Sequence, residues 1–145
     1  MSEALTALTL LAAGDAEGAR KVYAERIPLR RDFSFSIQAT LRAALVVALD
    51  DRAEAARLHP LLLPLRDEVA GAASLCVALR PVAQSLGELA ALLGRGNEAR
   101  EHFEQADRVA GLWKSRRWAD TARASLAALR DAPVGAGDGY PLPSP

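Results

Sequence analysis

Three times along this chain an apolar helix end is followed by a short acidic or glycine turn and then by a new alanine-rich amphipathic stretch. The copies read LLAAGDAEGAR from Leu10 to Arg20, VALDDRAEAAR from Val47 to Arg57 and ALLGRGNEAR from Ala91 to Arg100. Alignment on Ala19, Ala56 and Ala99 places Gly14, Asp51 and Gly94 in one slot, with copies about 37 and 43 residues apart. That period is typical of stacked helix-pair arrays. Each pair has an apolar face too wide to cover itself, so neighbouring pairs must stack. The expected fold is an all-α, right-handed solenoid of about seven antiparallel helices. Such arrays hold partners more often than they perform chemistry.

Composition agrees with close-packed helices. Half of the 145 residues are hydrophobic but only 5% are aromatic, so the core must be built from Leu, Ala and Val. Ala and Leu are strong helix formers, and a chain this long buries roughly 70% of its unfolded surface. Lys+Arg and Asp+Glu balance at 18 each, which argues against direct nucleic-acid binding and against a polybasic membrane anchor. The apolar run Ala4 to Ala13 lacks a basic flank and a cleavage site. No stretch approaches the roughly 20 apolar residues of a membrane span. The single cysteine, Cys76, cannot form an internal disulfide and reads as a small buried hydrophobe at a helix start. The expected location is the cytoplasm.

Seven helices are predicted. The first covers Glu3 to Ala13 and stops at Gly14. The second, capped by Asp15, carries Ala16, Ala19, Tyr23 and Ile27 at helical spacing and ends at Pro28. The third, Ser34 to Leu49, has Ile37, Leu41, Ala44, Leu45 and Ala48 as its apolar stripe. The fourth starts at Arg52, and Pro60 should kink it near His59 or force a restart before Leu61. A connection from Arg66 to Ser74 leads to the fifth, which holds Pro81 in its first turn and buries Val82, Leu86, Leu89, Ala90 and Leu93. The sixth begins at Asn97 with the stripe Ala99, Phe103, Ala106, Ala110 and Trp113. The seventh runs to Arg130 on Trp118, Ala122, Leu126 and Leu129. Residues 1–131 form one domain, and the Pro/Gly-rich segment 132–145 reads as an unstructured tail.

The stretch LGELAALLGRGNEAREHFEQADRVAGLWKSRRWADTARASLAALR resembles the C-terminal tetratricopeptide-like region of large bacterial signalling ATPases. These are the regulators of LuxR, AfsR or MalT type and the related ATPase-linked adenylate cyclases. The resemblance rests on Gly94, Glu98, Ala99, His102, Phe103 and Ala106, followed by Trp118 and Thr121, and extends over about Leu5 to Arg130. Pro60 departs from the family pattern. The resemblance implies a helical-repeat module from, or related to, a transcriptional regulator. It also implies that an inducer can be received in such a domain.

No motif for covalent or cofactor chemistry stands out. There is no Gly-Lys-Ser/Thr P-loop and no G-x-S-x-G elbow. Gly135, Gly137 and Gly139 are neither preceded by a strand nor followed by a helix. His59, Cys76 and His102 are not at metal-ligand spacing, so neither cofactor nor metal is expected. His102 next to Phe103 can be a boundary side chain or a general base with Glu98 or Glu104. Groove candidates lie on the first helix of each pair and at the last: Gln38, Arg42, Arg80, Gln84, Arg117 and Trp118. If Arg42, Arg80 and Arg117 converge, they can clamp a carboxylate or phosphate. Trp118 can instead belong to the core, on Trp113 and Phe103.

The function these features favour is a non-enzymatic interaction module whose concave groove binds a peptide or partner domain. A small-molecule sensor is the alternative, and an enzyme on a solenoid scaffold a more distant one. Helix 1 places Leu5, Leu8, Leu10 and Leu11 in one quarter, so a homodimer through an end helix is expected.

Overall fold

The computed structural model describes residues 3–74 and 77–132. Among them lie seven α-helices: α1 (Glu3–Ala12), α2 (Ala16–Ala24), α3 (Phe35–Ala48), α4 (Arg52–Leu62), α5 (Val82–Leu92), α6 (Gly96–Leu112) and α7 (Arg116–Asp131). The described residues form no strand, only an isolated bridge between Val69 and Pro81. The protein is all-α. The buried-thiol expectation for Cys76 falls outside the described residues, as does the tail expectation for 132–145 apart from Ala132, which ends α7.

One turn is used four times, after α1, α3, α5 and α6. In each, one residue takes a positive φ: Gly14 (83°), Asp50 (56°), Gly94 (75°) and Lys114 (53°). The next N–H closes back on a carbonyl five residues upstream. Asp15 donates to Leu10, Asp51 to Val46, Arg95 to Ala90 and Ser115 to Ala110, at 2.8–3.0 Å. This is the Schellman closure, which satisfies carbonyls that the ending helix orphans. The closing residue then caps the next helix. Asp15 accepts from the Gly18 N–H, Asp51 from Glu54 and Ser115 from Trp118. Beyond each turn stands a buried alanine in the same position: Ala19, Ala55, Ala99 and Ala119.

The structural register corrects the sequence alignment in its second copy. Asp50, not Asp51, occupies the glycine slot, and Ala55, not the exposed Ala56, is the buried alanine. A short polar side chain tolerates the left-handed conformation, so aspartate can replace glycine there. The fourth copy carries Lys114 in that slot and has no glycine or acid to announce it.

α1 packs on α2, α3 on α4, α5 on α6 and α6 on α7; α3 also touches α1 and α5, and α4 touches α5. The largest core cluster runs from α1 to α5 and includes Leu45, Val46, Leu58, Leu62, Leu86 and Leu89. Each such side chain contributes about 1.5–3 kcal/mol when buried. α5 is enclosed almost all round because small residues at Ala83, Ser85, Gly87 and Ala90 let neighbours approach. Ala83, Ala106 and Ala122 join α5, α6 and α7 in a separate alanine cluster.

Several expectations give way. In α3 the stripe is misplaced: Ile37, Leu41 and Ala44 are only partly buried and Ala48 is exposed, while Ala39, Ala43, Val46 and Val47 are buried. Contacts with α1, α4 and α5 on several sides override a single 3.6-residue stripe. α2 ends at Ala24, and Ile27 is 63% exposed, because Ile27 is held by its backbone. Its N–H donates to Glu3 Oε1 (3.1 Å) and its carbonyl accepts from Arg42. α4 does not end and restart before Leu61 but passes through Pro60 to Leu62, then tightens into a 3-10 turn at Leu63–Leu65. The carbonyl that Pro60 leaves without a donor belongs to exposed Ala56, where water can serve it. Pro81 is the N-cap of α5, not part of its first turn. Trp113 is the C-cap of α6 and 50% exposed, so it leaves the α6 stripe. On α1, Leu8, Leu10 and Leu11 pack against the core and only Leu5 is exposed.

Candidate functional site

A half-open cleft of about 150 Å³ lies where α5 and α7 begin, lined by Leu79, Arg80, Pro81, Gln84, Arg117, Trp118 and Thr121. The connection into α5 builds one wall. Ala70 N–H donates to the Arg80 carbonyl (2.9 Å), Leu79 N–H to the Ala70 carbonyl (2.9 Å) and Val82 N–H to the Glu68 carbonyl (3.0 Å). Gly71 turns this connection at φ 87°, where a Cβ would lie 2.7 Å from the Val77 carbonyl oxygen. The opposite wall is the first turn of α7, started by its Ser115 cap. Trp118 is half-buried there, with Trp113 6.0 Å away between ring centroids.

Beneath the cleft runs a polar network. Arg80 donates to Glu88 Oε1, and Gln84 Nε2 donates to Glu88 Oε1 (3.1 Å) and to Ser125 Oγ (2.9 Å). Gln84 Oε1 is buried with no partner among the described residues. The charge of Arg80 is therefore matched by Glu88. Arg117, in contrast, is exposed at the rim and makes no ion pair among the described residues.

Of the six groove candidates, Arg80, Gln84, Arg117 and Trp118 meet here. Gln38 and Arg42 do not line this cleft. Gln38 Nε2 donates to Ser34 Oγ (2.6 Å) at the start of α3. Arg42 is buried and tied to the Ile27 carbonyl and to Glu3 Oε1 (3.4 Å), so it fastens α3 to the segment after α2 and to α1. The three-arginine clamp is thus corrected: Arg42 belongs to a structural tie.

A second constellation was not legible from residue spacing. His59 on α4 comes against Glu98 and His102 on α6. His59 Nε2 lies 3.5 Å and His102 Nε2 3.9 Å from Glu98 Oε1, and the imidazole rings are 5.3 Å apart, edge to face. The one local signal was Glu98 and His102 at i, i+4, which puts them on one helix face. Burial lowers the pKa of His59, with Arg95 adding and Glu98 opposing. Burial also lowers that of His102, with His59 adding and Glu98 opposing. Both imidazoles are thus harder to protonate than a free histidine.

A pH dependence follows. Below the unfolded histidine pKa of about 6.5, the unfolded chain binds protons that the folded state refuses. Stability therefore falls as pH drops through that value and is unaffected by these groups above it. Denaturant midpoints at about pH 7 and about pH 5.5 should differ more for the native chain than for His59→Gln/His102→Gln. Equal losses would clear the histidines of responsibility.

No known protein family, curated protein or solved structure matches this chain. Among the described residues, no helix is long and apolar enough to cross a membrane.

Proposed function

We propose that this chain is a tetratricopeptide-like solenoid module that binds a peptide or partner domain in the cleft between the starts of α5 and α7. We place it in the cytoplasm, within or alongside a bacterial transcriptional regulator of the kind its sequence resembles. The repeated Schellman turn and the succession of α1, α3 and α5 support the solenoid arrangement.

The observation that carries the binding assignment is the meeting of Arg80, Gln84, Arg117 and Trp118 around one cleft. Arg117 offers a guanidinium with no ion-pair partner among the described residues beside an aromatic face, a combination suited to a carboxylate next to an apolar side chain. The Arg80–Glu88–Gln84 network holds the floor in place. At about 150 Å³ the cleft is smaller than the 300–1,000 Å³ of ordinary small-molecule pockets. It has room for a single anchoring side chain, which favours a peptide over an inducer.

The test is a photo-reactive phenylalanine derivative at Thr121, irradiated in extract of the native host. The expected result is one discrete protein adduct, weakened about tenfold by Arg117→Glu, equivalent to about 1.4 kcal/mol. No adduct, or one indifferent to Arg117→Glu, would reject the cleft as the binding site. A gain of a few hundred daltons would reassign it to a small molecule. Self-association through an end helix belongs to the same reading, with Leu5 exposed on α1. A monomer mass in light scattering down to low micromolar concentration would remove that part.

A further inference from the structure

We propose that His59, Glu98 and His102 form a binding site for a divalent transition-metal ion of the zinc class, joining α4 to α6. Two imidazole nitrogens and one carboxylate oxygen are a donor set suited to Zn²⁺ and its first-row neighbours. Calcium and magnesium, which prefer all-oxygen shells, are poorly served by it.

The geometry is close to what such an ion requires. One donor atom from each residue lies within 4.8 Å of the others. With bonds of about 2.0–2.1 Å, tetrahedral donors stand about 3.3–3.4 Å apart. The 3.5 Å and 3.9 Å separations to Glu98 Oε1 nearly meet that spacing.

The second line of support is independent of distance. His59 is 3% and His102 8% exposed, and neither Nε2 atom has a hydrogen-bond partner among the described residues. A buried polar atom left without a partner is uncommon and calls for an explanation. A simple histidine–carboxylate pair does not supply it, because 3.5 Å and 3.9 Å are too long for hydrogen bonds.

The surroundings also suit the assignment. Glu98 and His102 are one turn apart on α6, whose start is fixed by the Gly94 turn. Arg95 Nη1 lies 3.4 Å from Glu98 Oε2, which orients the carboxylate and leaves Oε1 toward the histidines. The Glu98 side chain is about a third exposed, so an ion can enter from solvent and keep water as its fourth ligand. Arg66 and Arg95 oppose a cation here, while Glu101 and Glu98 favour it.

The experiment uses the untagged full chain, titrated calorimetrically with Zn²⁺ and spectroscopically with Co²⁺. Expected are one ion per chain with low-micromolar affinity, visible d–d absorption of tetrahedral intensity with Co²⁺, and a Tm raised by several degrees. Glu98→Gln and His102→Gln should each weaken binding by about tenfold or more. Glu17→Gln, an exposed substitution on α2, should leave it unchanged. Glu98 lies near the surface, so its glutamine variant keeps the test decisive even if His102→Gln folds poorly. No uptake of either ion in the high micromolar range overturns the proposal, as does binding that Glu98→Gln leaves intact.

Discussion

Phe103→Ala is expected to lower the stability of this protein by about 3–5 kcal/mol, the loss typical of deleting a buried aromatic ring. Marginal domains hold only about 5–15 kcal/mol in total, so the variant should approach unfolding at physiological temperature. Phe103 is fully buried and groups with Ala90 and Ala99, with Leu126 and Leu129 of α7 packed against them. It therefore ties α5, α6 and α7 together. Its ring lies directly over Gly87, where an added Cβ would come within 2.4 Å, 2.5 Å and 2.9 Å of three ring carbons. In an ordinary helix, Gly→Ala gains about 1 kcal/mol. Here Gly87→Ala should lose about 1–3 kcal/mol through overpacking. Phe103→Leu in the same chain should recover part of that loss by making room. Denaturant titrations of the two single variants and the double would measure the coupling. A Gly87→Ala chain more stable than the parent would show that the ring is free to move aside.

Arg80→Met is the second large effect, expected at about 3 kcal/mol, or roughly 10 °C in Tm for a chain of this size. The Glu88 side chain is 7% exposed and that of Arg80 25%, so removing the guanidinium strands a carboxylate among the small residues of α5. Partial exposure of Arg80 keeps the figure at the lower end of the buried-pair range. Arg80→Met/Glu88→Met should restore most of the loss, since replacing both partners by apolar groups is often near neutral. If the double variant is no better than Arg80→Met alone, the arginine acts through its packing and not through its charge. The same cycle bears on the cleft, because Gln84 is held between Glu88 and Ser125. A relaxed floor should weaken capture at Thr121 even in chains that remain folded.

The seven helices were legible to within a few residues at most ends because their boundary signals act locally. Gly14 and Gly94 take the left-handed conformation, and Asp15 and Asp51 accept hydrogen bonds three residues ahead. Lys114 does the same work as those glycines without their chemical mark, so only the backbone discloses the fourth turn. The face that each helix buries was less legible. α3 has partners on several sides and buries Thr40 and Arg42 along with its aliphatic residues. Trp113, in step with the α6 stripe, lies beyond the helix end and remains half in solvent.

The candidate sites divide in the same manner. Arg80, Gln84, Arg117 and Trp118 were nominated by helix position and type of side chain. Arg42 was nominated on identical grounds and proved to be a tie to Glu3 and Ile27. The pairing of Gln84 with Ser125 and of His59 with Glu98 and His102 joins residues from separate helices. By itself the sequence determined that the chain is helical, how many helices it has and roughly where most of them begin and end. Those features depend on hydrogen bonds that close within about six residues. The tertiary structure alone decided that Arg42 is tied while Arg117 makes no ion pair among the described residues, that Gly87 lies under the Phe103 ring, and that the two histidines meet. Those outcomes depend on how helices pack, and packing brings together groups that nothing in their local sequence relates.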